Sequence, residues 1–263
     1  FRPTSEQISV AIGYICLGLA AKVLIADMLD AHQAAYIDTP GSISTLSALY
    51  VVFAYSFQIY FDFYGYSLIA IGLGRLFGFD FPINFRRPYE ALNPGDFWRR
   101  WHMTLSYWIR DYLYLPLGGN QAYARNILIV FVVCGLWHGA GWTFLAWGTY
   151  HGVFVILYHL GRDNWAKMPN LLQQALTFAL VSFGWTLFIF DFQGIESFLG
   201  SLFGLAEISL PDPGFEAWVG LLVAAAVCFG IRFERMAEYM SRHAVLANMR
   251  TVAFAALFTA TLL

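Results

Sequence analysis

Long runs of apolar residues alternate with short polar segments along this chain. A helix that crosses a bilayer needs about 20 mainly apolar residues. About five or six segments meet or approach that length, and we predict each of them as a membrane span. These segments are residues 8–29, 43–60, 142–160, 171–190, 215–231 and 245–263.

Three further apolar segments are too short to cross a bilayer. They are residues 67–79, which follow a polar break at Asp62 and Gly65, and residues 127–137 and 195–205. A short helix at membrane depth must be buried in protein or line a wet cavity. The pattern therefore predicts an all-α, polytopic membrane protein whose short and re-entrant helices form a funnel or tunnel. The alternative is that these segments extend a few residues further than the pattern shows.

The most polar stretch of the chain covers residues 82–121 and carries a concentration of arginines. Basic loops of membrane proteins favour the cytoplasmic side, so we predict that this stretch faces the cytoplasm. These arginines would suit an anionic ligand, and a solvated positive surface explains them equally well. They are Arg86, Arg87, Arg99, Arg100 and Arg110.

The centre of that stretch has the pattern of one amphipathic helix. A turn at residues 93–95 leads into Asp96, which is a favourable N-cap residue. Apolar residues then recur at steps of three and four, which keeps them on one helix face. Such a helix can lie at the membrane interface, and Pro116 with the glycines that follow would end it. The apolar stripe comprises Trp98, Trp101, Leu105, Trp108, Tyr112 and Leu115.

Composition supports the membrane assignment. Hydrophobic residues make up 59% of the chain and charged residues 12%, against about 25% in soluble domains. The net charge of −2 gives no basic field that could hold a nucleic acid. Three cysteines, Cys16, Cys134 and Cys228, lie far apart in apolar runs, so they form neither a disulfide framework nor a zinc pattern.

Three histidines are candidates for chemistry. His138 ends an apolar segment, where an ionisable group is costly and usually functional. Its ordinary pKa of about 6.5 suits a general base, and the alternative is a buried residue that bonds a neighbouring helix. His102 borders the apolar stripe. It is either an aromatic ring at the membrane interface or a second polar group that faces the same cavity as His138. His151 repeats the pattern Gly-x-aromatic-His-Gly, and we interpret it as structural.

No metal site is predicted from these histidines. No pair of them has the i,i+3 or i,i+4 spacing of helical metal ligands, and no carboxylate accompanies them at ligand spacing.

Two blocks of the chain resemble the membrane-bound O-acyltransferase family. The first, residues 97–120, contains Phe-Trp-Arg-Arg-Trp-His, Arg-Asp-Tyr-Leu-Tyr and Leu-Gly-Gly-Asn. The second is Leu-Trp-His-Gly at residues 136–139, and its histidine follows His102 by 36 positions (138 − 102). The likeness covers most of residues 5–200. It is strongest to the alginate O-acetylation group of AlgI type, followed by the teichoic acid D-alanylation group.

The resemblance implies a mechanism. His138 matches the catalytic histidine of the family and would act as general base on the acceptor hydroxyl or a relay group. His102 matches a second polar position that lines the same tunnel. The donor would be acetyl coenzyme A or another acyl thioester, with no bound cofactor. Residues expected to bind the donor or the acceptor are Arg99, Arg100, Trp101, Arg110, Asp111 and Trp137.

The resemblance also implies a location and partners. We expect a multi-pass protein of the bacterial inner membrane that passes an acyl group, foremost acetyl, towards an exported polysaccharide such as alginate or a periplasmic transfer protein. Two alternatives stay open: D-alanyl transfer to teichoic acid from a carrier protein, and a transporter-like scaffold without chemistry. Residues 1–263 are expected to form a single membrane domain, a fragment without the earlier spans of the family.

Overall fold

The structure, a computed structural model, describes residues 1–232, and helices dominate that range. The predicted all-α class is confirmed, since residues 1–232 contain no β-strand. The predicted span at 245–263 lies outside the described residues. The α-helices are α1 Ser5–Ala20, α2 Asp27–Asp38, α3 Thr45–Leu76, α4 Pro94–Arg100, α5 Met103–Ile109, α6 Tyr123–His138, α7 Trp142–Trp165, α8 Asn170–Gly184, α9 Thr186–Ile189, α10 Phe192–Leu202 and α11 Phe215–Gly230.

Three stretches of the described residues are long and apolar enough to cross a membrane. They are Ser5–Asp38, Thr45–Leu76 and Asn170–Ile189, the last of which joins α8 and α9. Two further predicted spans, 142–160 and 215–231, also form helices. Neither is among the three, and α11 has only 16 residues.

The predicted interruption of the second span is wrong, because α3 runs unbroken for 32 residues. The Asp62 carboxylate lies 2.7 Å from the Lys22 ammonium group, which satisfies its charge. Gly65 lies where α3 touches the backbone of α1, since a Cβ there would stand 2.6 Å from the carbonyl oxygen of Gly18. Both residues therefore serve a helix contact and do not break the helix.

The first of two compact units comprises residues 1–31, 57–84 and the described part of 219–263. A π-helical segment, Ala21–Ala26, continues α1. Its wider turn brings Lys22 and Asp27, five positions apart, onto one face. Lys22 Nζ lies 2.7 Å from Asp27 Oδ1 as well as from Asp62 Oδ1.

The second unit comprises residues 32–56 and 85–218 and contains the candidate site. One part of its core forms around fully buried Ile43, Val51 and Phe198. Elsewhere α6 and α7 pack with their backbones in contact. A Cβ at Gly135 would lie 2.2 Å from the Phe144 carbonyl oxygen, and one at Gly148 would lie 2.2 Å from that of Phe131.

Candidate functional site

The predicted amphipathic helix is two short helices, so the prediction of one continuous helix is wrong. α4 begins at Pro94, and its N-cap is Asn93, whose side-chain oxygen accepts a hydrogen bond from the Asp96 N–H at 2.8 Å. Asp96 therefore lies inside the first turn and is not the cap. α4 ends at Arg100, and α5 begins at Met103, which leaves Trp101 and His102 between them.

His102 has a left-handed backbone conformation, with φ 45° and ψ 54°. For a residue other than glycine this conformation costs about 1–3 kcal/mol, and such residues cluster at functional sites. The carbonyl that the break frees on Arg100 accepts a hydrogen bond from the Arg86 N–H at 3.0 Å. The Ser106 hydroxyl lies 3.2 Å from the Trp98 carbonyl oxygen and 3.4 Å from that of Trp101. Hydrogen bonds from the Arg86 N–H and the Ser106 hydroxyl thus satisfy carbonyl groups near the break in the helix.

Burial of Trp101 explains why the chain turns here. Its side chain is only 5% exposed and packs against Phe85, Phe97 and Trp185, with ring centroids 5.0–5.5 Å apart. A continuous helix would keep Trp101 in line with Trp108, which is 58% exposed. The break lets one tryptophan enter the core while the other stays at the surface.

A cavity of about 630 Å³ opens beside this break. His102 and His138 both line it, so the structure brings together the two histidines that the sequence singles out. Trp98 and Trp101 also line the cavity and form an aromatic part of its wall. Four arginines also line it, namely Arg86, Arg99, Arg100 and Arg110.

His138 is the last residue of α6 and stands among aromatic rings. Its ring meets those of Trp147 and Phe188 edge to face, with centroids 5.2 and 5.1 Å away. The Trp137 ring lies 4.9 Å from the ring of His138 and 6.3 Å from that of His102. Trp137 therefore packs against both histidines, although it is 62% exposed and is not one of the residues that line the cavity.

The arginines of the cavity differ in their partners. Arg100 lies 2.9 Å and Arg99 3.4 Å from the Asp96 carboxylate, so these two share one counter-charge. Arg110 pairs with Asp111 at 2.8 Å, and Asp111 does not line the cavity. The arginine side of the cavity thus keeps an excess of positive charge.

Comparison with known proteins shows the family of the chain. The sequence model described as the membrane-bound O-acyltransferase family matches residues 2–201. The chain belongs to this family. Family membership makes the cavity with its two histidines the first candidate for an acyl-transfer site.

Curated relatives in the family share long stretches with the chain. A peptidoglycan O-acetyltransferase of Helicobacter pylori is 42% identical over 78% of the chain and 40% of the relative. A probable alginate O-acetylase AlgI of Pseudomonas putida is 39% identical over 85% of the chain and 47% of the relative. A teichoic acid D-alanyltransferase of Streptococcus thermophilus is 33% identical over 64% of the chain and 43% of the relative. The chain thus spans less than half the length of these family members.

Two residues of this family member's cavity escaped the sequence analysis. Arg86 was noted only as one of several basic residues, and within residues 1–232 no carboxylate lies within ion-pair distance of it. Cys134 lines the cavity one helical turn before His138, whereas the sequence analysis considered it only as a disulfide or zinc candidate and excluded both. Its i,i+4 spacing from His138 was the available signal. The described residues contain no group of three or more metal-binding side chains.

The free energy of unfolding of the protein is expected to decrease as the pH is lowered, because of His102. Burial, with a smaller effect of His138, lowers the pKa of His102 to about 4. The unfolded chain takes up a proton at about pH 6.5, so between that pH and about 4 it binds more protons than the folded state. The melting temperature of the full-length protein should therefore decrease from pH 7 to pH 5.

His102→Asn isolates this contribution, because asparagine tolerates the left-handed backbone and does not titrate. We expect a smaller decrease of the melting temperature over the same pH range in this variant. An identical pH dependence in both proteins would contradict the assignment to His102.

Proposed function

We propose that the full-length protein is an O-acyltransferase that moves an acetyl group from a thioester donor towards an exported polysaccharide. The observation that carries this proposal is the pairing of His102 and His138 on one cavity whose wall is rich in arginines. Family membership supplies the reaction class, and the O-acetyltransferases among the relatives favour acetyl.

In the proposed reaction His138 acts as the general base. It removes the proton from the acceptor hydroxyl, or from a relay group, while the oxygen attacks the thioester carbonyl. The carbon–sulfur bond breaks, an oxygen ester forms, and the donor leaves as its thiol after taking up a proton. The ring stands on the cavity wall with aromatic neighbours, so its orientation is restricted at the point where the reactants would meet.

His102 is proposed to orient or polarise the substrate. Its side chain reaches the cavity because the helix breaks at this residue, and its low pKa keeps the imidazole neutral at physiological pH. A neutral imidazole can donate a hydrogen bond from one ring nitrogen and accept one at the other. It can therefore bind a carbonyl or hydroxyl group without adding charge to the cavity.

The arginines are proposed to bind the anionic part of the donor on the cytoplasmic side. Arg86, Arg99, Arg100 and Arg110 are the lining residues suited to this, since guanidinium groups bind phosphates in a bidentate manner. Coenzyme A and the prosthetic group of a carrier protein both carry phosphate. Trp101 and Trp137 are proposed to shape the site, and Asp111 to hold Arg110. We place the protein in the bacterial inner membrane, with a periplasmic protein or the polymer as acceptor.

A second candidate keeps the site and changes the acyl group to D-alanine. The similarity to a teichoic acid D-alanyltransferase favours it. Both candidates use the same base and the same thioester chemistry, and they differ in the acyl group.

Isotope feeding separates the two candidates. Cells that express the full-length protein receive labelled acetate or labelled D-alanine, and ester-bound label on the surface polymer is then released by mild alkali. We expect labelled acetate to appear and to disappear when the gene is deleted. Gene-dependent D-alanine label without acetate label would instead establish the second candidate.

A further inference from the structure

His151 is almost completely buried, with 2% of its surface exposed, at the centre of an aromatic cluster beneath the cavity. It lies on α7 and meets the rings of Trp98, Trp147 and Tyr150 edge to face, at centroid distances of 4.9, 5.1 and 5.1 Å. Trp185 follows at 6.1 Å. The resemblance to the family assigned roles to His102 and His138, whereas His151 was interpreted as structural.

The neighbours of His151 connect it to the candidate site in two ways. Trp98 lines the cavity, so the ring of His151 supports a piece of the cavity wall. Trp147 is 1% exposed and lies between the two histidines, with its ring 5.1 Å from His151 and 5.2 Å from His138. A shift of His151 would therefore reach His138 through a single indole.

The cluster also contains polar atoms that suit one another. Within the described residues, Nε2 of His151 and the indole nitrogens of Trp98, Trp147 and Trp185 are buried without a hydrogen-bond partner. Buried polar groups in folded proteins nearly always have partners. An indole N–H can only donate, whereas one nitrogen of a neutral imidazole accepts. A neutral His151 thus places one accepting nitrogen among three indole donors, and the structure records no hydrogen bond between them.

The opposite helix leaves room for this ring. A Cβ at Gly184, the last residue of α8, would stand 2.6 Å from Nε2 of His151 and 2.9 Å from the Tyr150 ring. Glycine at this position therefore allows the imidazole to occupy the centre of the cluster. Alanine there would displace the ring without removing any titratable group.

We propose that His151 is a positioning residue that holds the indoles of Trp98 and Trp147 and, through Trp147, orients His138 at the cavity. This proposal rests on the proposed function, since it assigns the orientation of the residue proposed as base. His151 does not line the cavity, so it would act through His138 and not through contact with the donor.

Four variants of the full-length protein in vesicles test the proposal, with a labelled acetyl thioester as donor. His151→Phe keeps a ring and removes the acceptor, and we expect kcat to fall by about 10- to 100-fold at unchanged donor KM. His151→Gln retains an acceptor near the Nε2 position and should lose clearly less. Gly184→Ala should lower kcat in the same direction. His159→Phe is the control, because His159 is exposed on α7 and its ring stack on Tyr123 at 4.0 Å survives the change.

The outcomes separate positioning from simple packing. A wild-type kcat in His151→Phe would overturn the proposal. Equal decreases of kcat in His151→Phe and His151→Gln, in proportion to a decrease in the amount of folded protein, would also overturn it. A kcat loss at an unchanged melting temperature, with partial rescue by glutamine, supports it. His138→Ala is measured in parallel: full activity in that variant contradicts the proposed function itself, independently of the result for His151.

Discussion

His138→Ala in the full-length protein is expected to lower polymer acylation by about 100- to 10,000-fold, the range that general-base catalysis contributes. The His138 ring stands on the wall of the 630 Å³ cavity, and alanine offers no group that could remove the acceptor proton there. The readout is the ester-bound acyl content of the polymer from cells that carry only the variant. The amount of protein in the membrane is measured in the same cells.

His32→Ala serves as the control, because His32 lies on α2 and does not line the cavity. It should leave the acyl content near that of the wild type. Normal acylation in His138→Ala would contradict the proposal that His138 is the general base. Loss of the variant from the membrane would require His138→Gln, which preserves more of the packing volume, to take its place.

Gly148→Ala is expected to destabilise the unit that contains the site more than other single methyl additions on α7. The new Cβ would lie 2.2 Å from the Phe131 carbonyl oxygen, so α6 and α7 would have to separate. Overpacking lowers the free energy of unfolding by about 1–3 kcal/mol. Because the new methyl group would meet rigid backbone, we expect this variant to lose at least the upper value of that range. Because Phe131 lies two helical turns before His138 on α6, activity should fall with stability. The measurement is the melting temperature of the purified full-length protein.

Gly161→Ala is a matched control on the same helix. No atom lies within 4 Å of the Cβ that it adds, and alanine favours a helix interior by about 1 kcal/mol over glycine. We expect the melting temperature to stay the same or rise. Equal destabilisation by the two substitutions would contradict a specific backbone contact at Gly148.

The histidine pair could be predicted from sequence, whereas the path of the backbone within residues 97–120 could not. Motif order and spacing pointed to His102 and His138, and the structure places both on one cavity. The stripe from Trp98 to Leu115 fits a continuous helix. The break at Trp101 depends on partners distant in sequence, Phe85 and Trp185, which a helical period cannot reveal.

The long helix α3 also shows that contacts distant in sequence decide where a helix ends. Here they keep a helix continuous that the local pattern predicts to be broken. Asp62 and Gly65 are ordinary interruptions of an apolar run, yet Asp62 is compensated by Lys22, 40 positions earlier, and Gly65 by Gly18, 47 positions earlier. Local pattern predicts that a polar residue ends a span. Tertiary pairing decides whether it does. The same reasoning applies to His151, whose surroundings come from Trp98 on α4 and Gly184 on α8 as well as from its own helix.

The central claim is that the cavity holding His138 carries out acyl transfer. The most direct test compares purified wild type and His138→Gln of the full-length protein in vesicles, with a labelled acetyl thioester and the polymer acceptor. We expect the wild type to form labelled ester and His138→Gln to form at most about 1% as much. Wild-type turnover by a correctly folded His138→Gln protein would contradict the account.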